Sequence, residues 1–183
     1  MNFSVYLRPL QLEDALVSYQ WRNNPEIWKQ TGSKPDRYIT PEMEAEWITN
    51  VLQRENEKRF AICLKENDQY IGNIFFTDVT PTDAHIHIFI GETEIWGKKK
   101  AFEAICLMGL YGFQQLKLNS IYALVTEENM ASNALAQTFG AAQLQEYFDE
   151  AQNRTIRKWE FTRQMYEFYY QLVFGKPAPA LAD

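Results

Sequence analysis

The sequence predicts a mixed α/β fold built on one central sheet, because strand-like and helix-like patterns alternate along the chain. The strand-like runs, rich in β-branched and aromatic residues, lie at 3–10, 59–65, 70–78, 84–90, 120–126, 143–148 and 155–162. The last two flank a polar turn and predict a hairpin. Helices are predicted between the earlier runs, and no internal repeat is evident, so these elements are expected to share one core.

Four helices are predicted from apolar periodicity and end signals, at 12–21, 40–54, after Trp96 and at 129–139. Thr40-Pro41-Glu42 is the strongest start, because threonine caps a helix and proline suits its first position. Asn23-Asn24-Pro25 is expected to interrupt the first helix, and Gly140 to end the last. In the third helix an apolar stripe is predicted to face the core: Phe102, Ile105, Cys106, Gly109, Leu110 and Phe113.

Length and composition predict one domain over 1–165, followed by an aromatic extension and loose tail over 166–183. The aromatic run at 166–174 is ambiguous between helix and strand. The net charge of −6 argues against a nucleic-acid partner. Two cysteines give no disulfide framework, and there is no evident signal peptide or spanning segment, so a cytoplasmic protein without a membrane partner is expected.

The stretch IHIFIGETEIWGKKKAFEA at 86–104 is the most informative part of the chain. A strand ends at Gly91, a turn follows with Trp96, Gly97 and three lysines, and an apolar helix begins. Backbone N–H groups at a helix start, together with lysine charge, form a place to bind phosphate. Basic residues at a helix N-terminus are disfavoured unless an anion is present. A phosphate-bearing ligand is therefore predicted here, with its other end along the strand.

Three motifs resemble the GCN5-related N-acetyltransferases (GNAT superfamily), in the branch of ribosomal-protein N-terminal, polyamine and nucleotide-amino-sugar acetyltransferases. They are LRPL at 7–10 with WRNNP at 21–25, IGE at 90–92 with WGKKKAFEA at 96–104, and Glu128-Asn129 with Ser132, Leu135, Phe139 and Gly140. The resemblance covers about residues 5–165. It implies a mostly antiparallel mixed sheet of about seven strands, helices on both faces and a splayed central strand pair.

The resemblance also implies acetyl-CoA as a co-substrate, with no metal. Its pantetheine arm would pair with the strand edge at Ile88, Phe89, Ile90 and Gly91, where a backbone N–H would polarise the thioester. Gly91 would permit a bulge. The remaining cofactor-binding residues implied are Trp96, Gly97, Lys98, Lys99, Lys100, Ala101, Phe102, Asn129 and Ser132. Asn129 is also a plausible helix cap.

Two positions depart from the family pattern. Lys99 stands where a glycine is usual in the phosphate loop, so its backbone is expected to be strained or its CoA binding weaker. Ala136 stands where a helix tyrosine often protonates the departing thiolate. Either another group serves, with Tyr122 and Tyr147 as candidates, or the thiolate leaves unaided, because a thiol is already fairly acidic.

Transfer to an amine requires the neutral nitrogen, so a base is useful. His85 and His87 are the only histidines, and strand alternation places both on one face. His87 is preferred, with His85, Glu92 and Glu94 as alternatives, and ordinary strand hydrogen bonding remains open for the histidines. Two histidines without nearby acids at ligand spacing do not favour a metal site.

The acceptor side is expected to include Trp21, Arg22 and Asn23, as in nucleotide-amino-sugar acetyltransferases, with Arg22 pairing a phosphate or carboxylate. Trp28, Tyr38 and Trp47 would form an aromatic wall, although core packing of these residues, and solvation of Arg22, are equally open. The predicted function is acetyl transfer to a primary amine of a small metabolite, such as a nucleotide-linked amino sugar.

A protein N-terminus or a polyamine is the alternative acceptor. From another class, a non-catalytic acyl-CoA sensor or assembly subunit is the alternative, because Lys99 and Ala136 depart from the pattern. A monomer or homodimer is expected, with no nucleic acid and no membrane as partner.

Overall fold

The protein has the predicted mixed α/β architecture in a computed structural model that describes residues 3–31, 34–151, 153–175 and 177. Seven strands form one sheet in the order β1-β2-β3-β4-β5-β7-β6. They are β1 Val5–Pro9, β2 Lys58–Leu64, β3 Tyr70–Thr77, β4 Asp83–Ile90, β5 Ser120–Thr126, β6 Ala142–Asp149 and β7 Arg154–Thr162. Each strand lies where a β-branched or aromatic run predicts one, so the predicted fold class is confirmed.

Strand pairing is mixed. The β1/β2, β2/β3, β5/β7 and β6/β7 ladders are antiparallel, and β4/β5 is parallel. The parallel ladder runs from Asp83–Ser120 to His85–Tyr122. Strand β4 itself continues to Ile90. Its last five residues therefore lie beyond the register that it shares with β5.

Six α-helices connect the strands: α1 Ala15–Asn23, α2 Pro25–Thr31, α3 Pro41–Leu52, α4 Lys100–Leu110, α5 Met130–Thr138 and α6 Arg163–Phe174. Thr40 caps α3 as predicted, because its side chain accepts the N–H of Met43. Helix α4 widens into a π-helical turn at Tyr111–Gln115. The apolar stripe predicted for α4 omits two residues, Ala104 and Met108, whose side chains are also fully buried. A helix apolar on most sides is buried on more than one face.

The C-terminal aromatic run is helical. Thr162 caps α6 by accepting the N–H of Met165, and the helix ends at Gly175 in a left-handed conformation. Tyr166 is 5% exposed and packs against Phe113, which lies 5.1 Å away between ring centroids. The helix therefore begins before the domain boundary predicted at 165, and its first half contributes to the core. The predicted tail over 178–183 lies outside the described residues.

The chain divides into two compact units. The first comprises Asn2–Thr77 and His87–Met108, and the second comprises Asp78–Ile86 and Gly109–Asp183. The first unit has a core of buried side chains from α1, α2, α3 and strands β2 and β3: Leu10, Ala15, Trp21, Ile27, Ile48, Ala61, Cys63 and Tyr70. The cysteines are free and buried. Within the described ranges, no helix is both long and apolar enough to cross a bilayer.

Candidate active site

The end of β4 is held against β3 by close backbone contact. A side chain at Gly72 on β3 would collide with the carbonyl oxygen of Phe89 on β4, so glycine is required there. The carbonyl of Ile71 accepts two N–H groups, from Gly91 at 2.8 Å and from Glu92 at 3.3 Å. Strand β4 thus ends in a fixed position, with a bend at Gly91.

Gly91 has a role different from the predicted one. Its N–H was expected to polarise a thioester, but it donates to Ile71, so this donor is already used. Its φ angle is also not positive. Glycine is needed because a Cβ at this position would overlap the indole ring of Trp21. The thioester-polarising N–H was predicted within residues 88–91 and stays a prediction, but the N–H of Gly91 is already bonded, and the lack of a side chain at Gly91 serves packing.

Trp21 lies in the core of the first unit rather than on an open acceptor surface. It is 5% exposed and packs beside Tyr70, with ring centroids 4.6 Å apart. Its indole N–H donates to a carboxylate oxygen of Glu92 at 3.1 Å. Because Trp21 is buried, its predicted direct contact with substrate is not supported. The indole ring instead packs against Gly91 and orients Glu92.

The turn before α4 has the backbone form of an anion-binding loop. Gly97 has φ +77° and Lys99 has φ +60°, while Lys98 between them has no positive φ. The helix begins at Lys100. Alternation of left-handed and right-handed residues turns successive N–H groups toward one side, and the helix N-terminus adds its positive end. The positive φ of Lys99 is the conformation that glycine adopts without strain, and phosphate binding by this turn stays a prediction.

Two further contacts position this loop. The indole N–H of Trp96 donates to the carbonyl of Ile90 at 2.9 Å, while 40% of the residue stays exposed. The ammonium of Lys100 donates to Ser4 Oγ at 2.6 Å, so this side chain is directed at β1. Lys98 and Lys99 are exposed. The N–H of Lys98 donates to the carbonyl of Ile95 at 3.2 Å, so a ligand here would meet the ammonium groups of Lys98 and Lys99 and the backbone N–H groups that follow Lys98.

Glu103 in the first turn of α4 was not singled out from the sequence. One of its carboxylate oxygens accepts the N–H and hydroxyl of Ser4, at 2.8 and 2.7 Å, and the N–H of Val5 at 3.2 Å. An acid near a helix N-terminus is favourable in itself, but here it also joins the phosphate loop to β1. The sequence signal was a first-turn acid, whose distant partner cannot be read from spacing.

The two histidines lie in different surroundings. The ring of His87 stacks on Phe75, with centroids 4.7 Å apart, and its Nε2 lies 3.0 Å from Thr77 Oγ1. His85 accepts the N–H of Leu124 at Nε2, 3.3 Å away, and stacks on Tyr122. Burial lowers the pKa of His85, against the opposing charge of Asp78. The predicted base role of His85 is corrected, because its basic lone pair is occupied.

A stack of planar groups continues from His87 across the first unit. Arg59 lies over the ring of Phe75 at 4.1 Å, and Trp47 lies between Arg59 and Arg22, at 5.1 and 5.2 Å. Arg59 pairs with Glu57. Among the described residues, Nε of Arg22 is buried without a hydrogen-bond partner. Sequence reasoning named Arg22 and Trp47 but missed Arg59 and Phe75, whose proximity depends on strand pairing.

The other predicted acceptor residues are dispersed. Asn23 bridges Tyr19 and Ile39, since its amide donates to both carbonyls at 2.8 Å and accepts the N–H of Ile39 at 2.9 Å. This corrects its predicted substrate contact, because those groups are used. Trp28 lies under the ammonium of Lys34, and Tyr38 is 67% exposed. The predicted aromatic wall of Trp28 and Tyr38 is thus not assembled by these contacts.

Asn129 caps α5 in the second unit, where its side chain accepts the N–H of Ser132 at 3.0 Å. Its predicted cofactor contact stays a prediction. Asn133, which sequence reasoning did not name, is 5% exposed and donates to the carbonyls of Thr126 and Asn129, both at 2.9 Å. It also accepts the indole N–H of Trp159. This buried asparagine fixes the start of α5.

Comparison with known proteins gives consistent matches. The model of the acetyltransferase (GNAT) domain family matches residues 4–142. The chain is 32% identical over 161 residues to an uncharacterized N-acetyltransferase, p20, of Bacillus licheniformis, covering 85% of this chain and 90% of that protein. It is 28% identical to a probable N-acetyltransferase, YjcK, of Bacillus subtilis (strain 168), covering 75% and 80%.

A solved structure shares the fold. It is the spermidine N-acetyltransferase from Vibrio cholerae in complex with CoA and spermine, with a TM-score of 0.78 and 21% sequence identity. The similarity covers 90% of this chain and 99% of that one. At this identity the comparison supports the architecture of the sheet and helices alone.

Proposed function

This chain belongs to the GNAT family of acetyltransferases, and on that basis we propose that it transfers an acetyl group from acetyl-CoA directly to a primary amine of a small metabolite. The single observation that carries the proposal is the backbone of residues 97–100. Positive φ angles at Gly97 and Lys99, directly before α4, give a turn whose N–H groups would bind a phosphate together with the helix N-terminus.

The residues assigned to the diphosphate and to the pantetheine arm lie in the first unit. The N–H groups of Lys99, Lys100 and Ala101 would bind the diphosphate, and the exposed ammonium groups of Lys98 and Lys99 would add charge. Residues 88–90 of β4 lie beyond the β5 register and would pair with the amides of the pantetheine arm. Trp96 already occupies one acceptor position, the carbonyl of Ile90.

Acetyl-CoA supplies the acetyl group as a thioester. The amine nitrogen forms the new bond to the acetyl carbon, the carbon–sulfur bond breaks, and coenzyme A leaves as its thiolate. The amine proton passes to a base on the chain. We assign this base to His87, whose ring is fixed by the stack on Phe75 and by Thr77. Glu92, oriented by Trp21, is the second candidate.

The acceptor is assigned from Arg22. A buried donor without a partner costs about 1–3 kcal/mol in the free protein, and an anionic ligand group would remove that cost. Trp47, which stacks on Arg22, offers a face for a planar ring. An amine that also carries a phosphate or carboxylate fits these groups, and a nucleotide-linked amino sugar is such a compound. This supports the acceptor predicted from the sequence.

A polyamine is the second candidate, because solved spermidine N-acetyltransferases share the fold. The cations Arg22 and Arg59 on this side of the first unit oppose a polycationic acceptor. Glu57 pairs with Arg59, and the carboxyl group of buried Glu44 interacts electrostatically with Arg22. Substitution of Arg22 therefore separates the two candidates by experiment.

The test is a thiol-release assay with acetyl-CoA and a panel of nucleotide-linked amino sugars, spermidine and a peptide with a free N-terminus. We expect release with an anionic amine, and a rise of about tenfold or more in its KM for Arg22→Gln, with a smaller rise for Arg22→Lys. Faster release with spermidine in both wild type and Arg22→Gln would contradict the assignment. CoA binding without release on any amine would indicate a non-catalytic sensor.

A further inference from the structure

His85 lies at the point where β4 and β5 stop pairing. Its imidazole Nε2 accepts the backbone N–H of Leu124 at 3.3 Å. The ring stacks on Tyr122 with centroids 4.9 Å apart and planes inclined by 13°. Its Nδ1 lies 4.0 Å from a carboxylate oxygen of Asp78, and only 12% of the side chain is exposed. A buried imidazole with a backbone donor is a constrained side chain.

The hydrogen-bond pattern shows what this contact replaces. The N–H of Ser120 donates to the carbonyl of Thr82 at 3.2 Å. On the β4 side, the carbonyls that accept bonds from β5 are therefore those of even-numbered residues. In a parallel ladder the bonds recur every second residue, so Tyr122 next donates to Ala84. The following rung would join the N–H of Leu124 to the carbonyl of Ile86. That N–H donates to the His85 ring instead.

We propose that His85 is a positioning residue that ends the β4/β5 ladder by taking the N–H of Leu124, which the carbonyl of Ile86 would otherwise accept. The stack of the ring on Tyr122 holds this acceptor at the point where pairing stops.

The consequence for binding rests on the proposed function. If the N–H of Leu124 bonded the carbonyl of Ile86, the backbone of β4 would be fixed one rung further along the strand. That rung would change the path of β4 directly before the residues assigned to the pantetheine arm. His85 therefore affects the affinity for acetyl-CoA by setting the backbone path of β4. It takes no part in the proton transfer assigned to His87.

The contact requires a neutral ring with its proton on Nδ1, because Nε2 must accept. The charged groups that face the ring agree with this. Asp78 lies on the Nδ1 side, and Lys158 of β7 lies over the far face of Tyr122, 4.7 Å from its centroid. A protonated ring would lose the bond to Leu124 and would lie in a site that burial makes unfavourable for charge.

The first measurement is nitrogen NMR of the histidine rings in the chain without ligand. The proposal predicts the Nδ1–H tautomer for His85 at pH 7.5, and slow hydrogen exchange for the amide of Leu124. A proton on Nε2, or exchange of the Leu124 amide as fast as that of an exposed amide, would overturn it. This result is independent of whether the chain binds coenzyme A.

The second measurement compares two variants. His85→Gln keeps an acceptor, and His85→Phe keeps the stack on Tyr122 but removes the acceptor. We expect the Kd for CoA to weaken about fivefold or more in His85→Phe and to stay within about twofold in His85→Gln. In both variants kcat should change by less than about threefold, because the base is assigned to His87 and not to His85.

Equal affinity for CoA in the two variants, with wild-type far-UV circular dichroism in each, would overturn the proposal. A kcat lowered equally in both would show that His85 is itself a base. If wild type binds no CoA, the proposed function fails, and the tautomer and exchange results alone decide the role of His85.

Discussion

The indole ring of Trp21 occupies the space that a side chain at Gly91 would need, and it donates a hydrogen bond to the next residue, Glu92. One buried tryptophan therefore fixes both the bend that ends β4 and the direction of an acid beside it. The motif residues Trp21 and Gly91, seventy positions apart, act as a packing pair. The backbone geometry at the end of β4 depends on this pair.

Substitution of Gly91 by alanine should destabilise the protein, because the new methyl group overlaps the Trp21 ring. Overpacking of this kind costs about 1–3 kcal/mol in free energy of unfolding, measured by urea denaturation. The same change made in a Trp21→Leu background should cost less than half as much. Equal costs in the two backgrounds would show that the ring does not restrict this position.

Replacing Lys99 by glycine should stabilise the protein by about 1 kcal/mol, because Lys99 has a left-handed backbone that glycine adopts without strain. Its affinity for CoA should hold or increase if backbone N–H groups bind the diphosphate. Lys117, also left-handed but outside the loop, is the matched control. Lys117→Gly should give a similar stabilisation and unchanged CoA affinity by calorimetry.

A large loss of affinity in Lys99→Gly, with wild-type affinity in Lys117→Gly, would show that the ammonium of Lys99 binds the ligand. The backbone would then not suffice for the diphosphate.

His87→Ala should lower kcat by about a hundredfold, since a positioned base contributes at least that much to proton transfer. The KM for acetyl-CoA should stay within about twofold, because His87 is assigned to the amine and not to the cofactor. Steady-state rates and a pH–rate profile check this. An unchanged rate at neutral pH would remove His87 from the mechanism and leave Glu92, tested by Glu92→Gln.

Stability should depend on pH through His85. Burial lowers its pKa in the folded chain below the ordinary value of about 6.5, so the unfolded chain binds more protons in that range. Asp78 acts against this shift and Lys158 with it. The stabilising contribution is therefore complete above about pH 6.5 and is lost as the pH falls through the window below it.

Urea denaturation of wild type and His85→Gln between pH 7.5 and 5 measures this contribution. Wild type should lose more free energy of unfolding than the variant, which has no titrating group at this position. If the free energies of unfolding of wild type and variant changed equally with pH, the pKa of His85 would be the same in the folded and unfolded chains.

Local signals in the sequence were sufficient for most of the fold. Thr40-Pro41-Glu42 predicted the start of α3, and Asn129 predicted the cap of α5. Helix α2 was missed although its signal has the same form: Pro25 begins it, and the side chain of Asn24 accepts the N–H of Glu26 at 3.0 Å. That short helix was mistaken for an interruption, because its apolar period is too brief to detect.

The site was less predictable because its contacts are non-local. Spacing placed His85 and His87 on one face, but it did not show that Leu124 and Thr77 would be their partners. The position of the Trp21 indole depends on the packing of α1 against the sheet. In contrast, the turn around Lys99 is set by adjacent residues, and there the sequence indicated the strained backbone that the structure has, while phosphate binding stays a prediction.

Titration calorimetry of the purified chain with coenzyme A, and with pantetheine as the matched ligand without phosphates, tests the central claim most directly. We expect saturable, stoichiometric binding of coenzyme A and at least about tenfold weaker binding of pantetheine, because the backbone at 97–100 is proposed to bind the diphosphate. No binding of coenzyme A, or equal affinity for the two compounds, would contradict it.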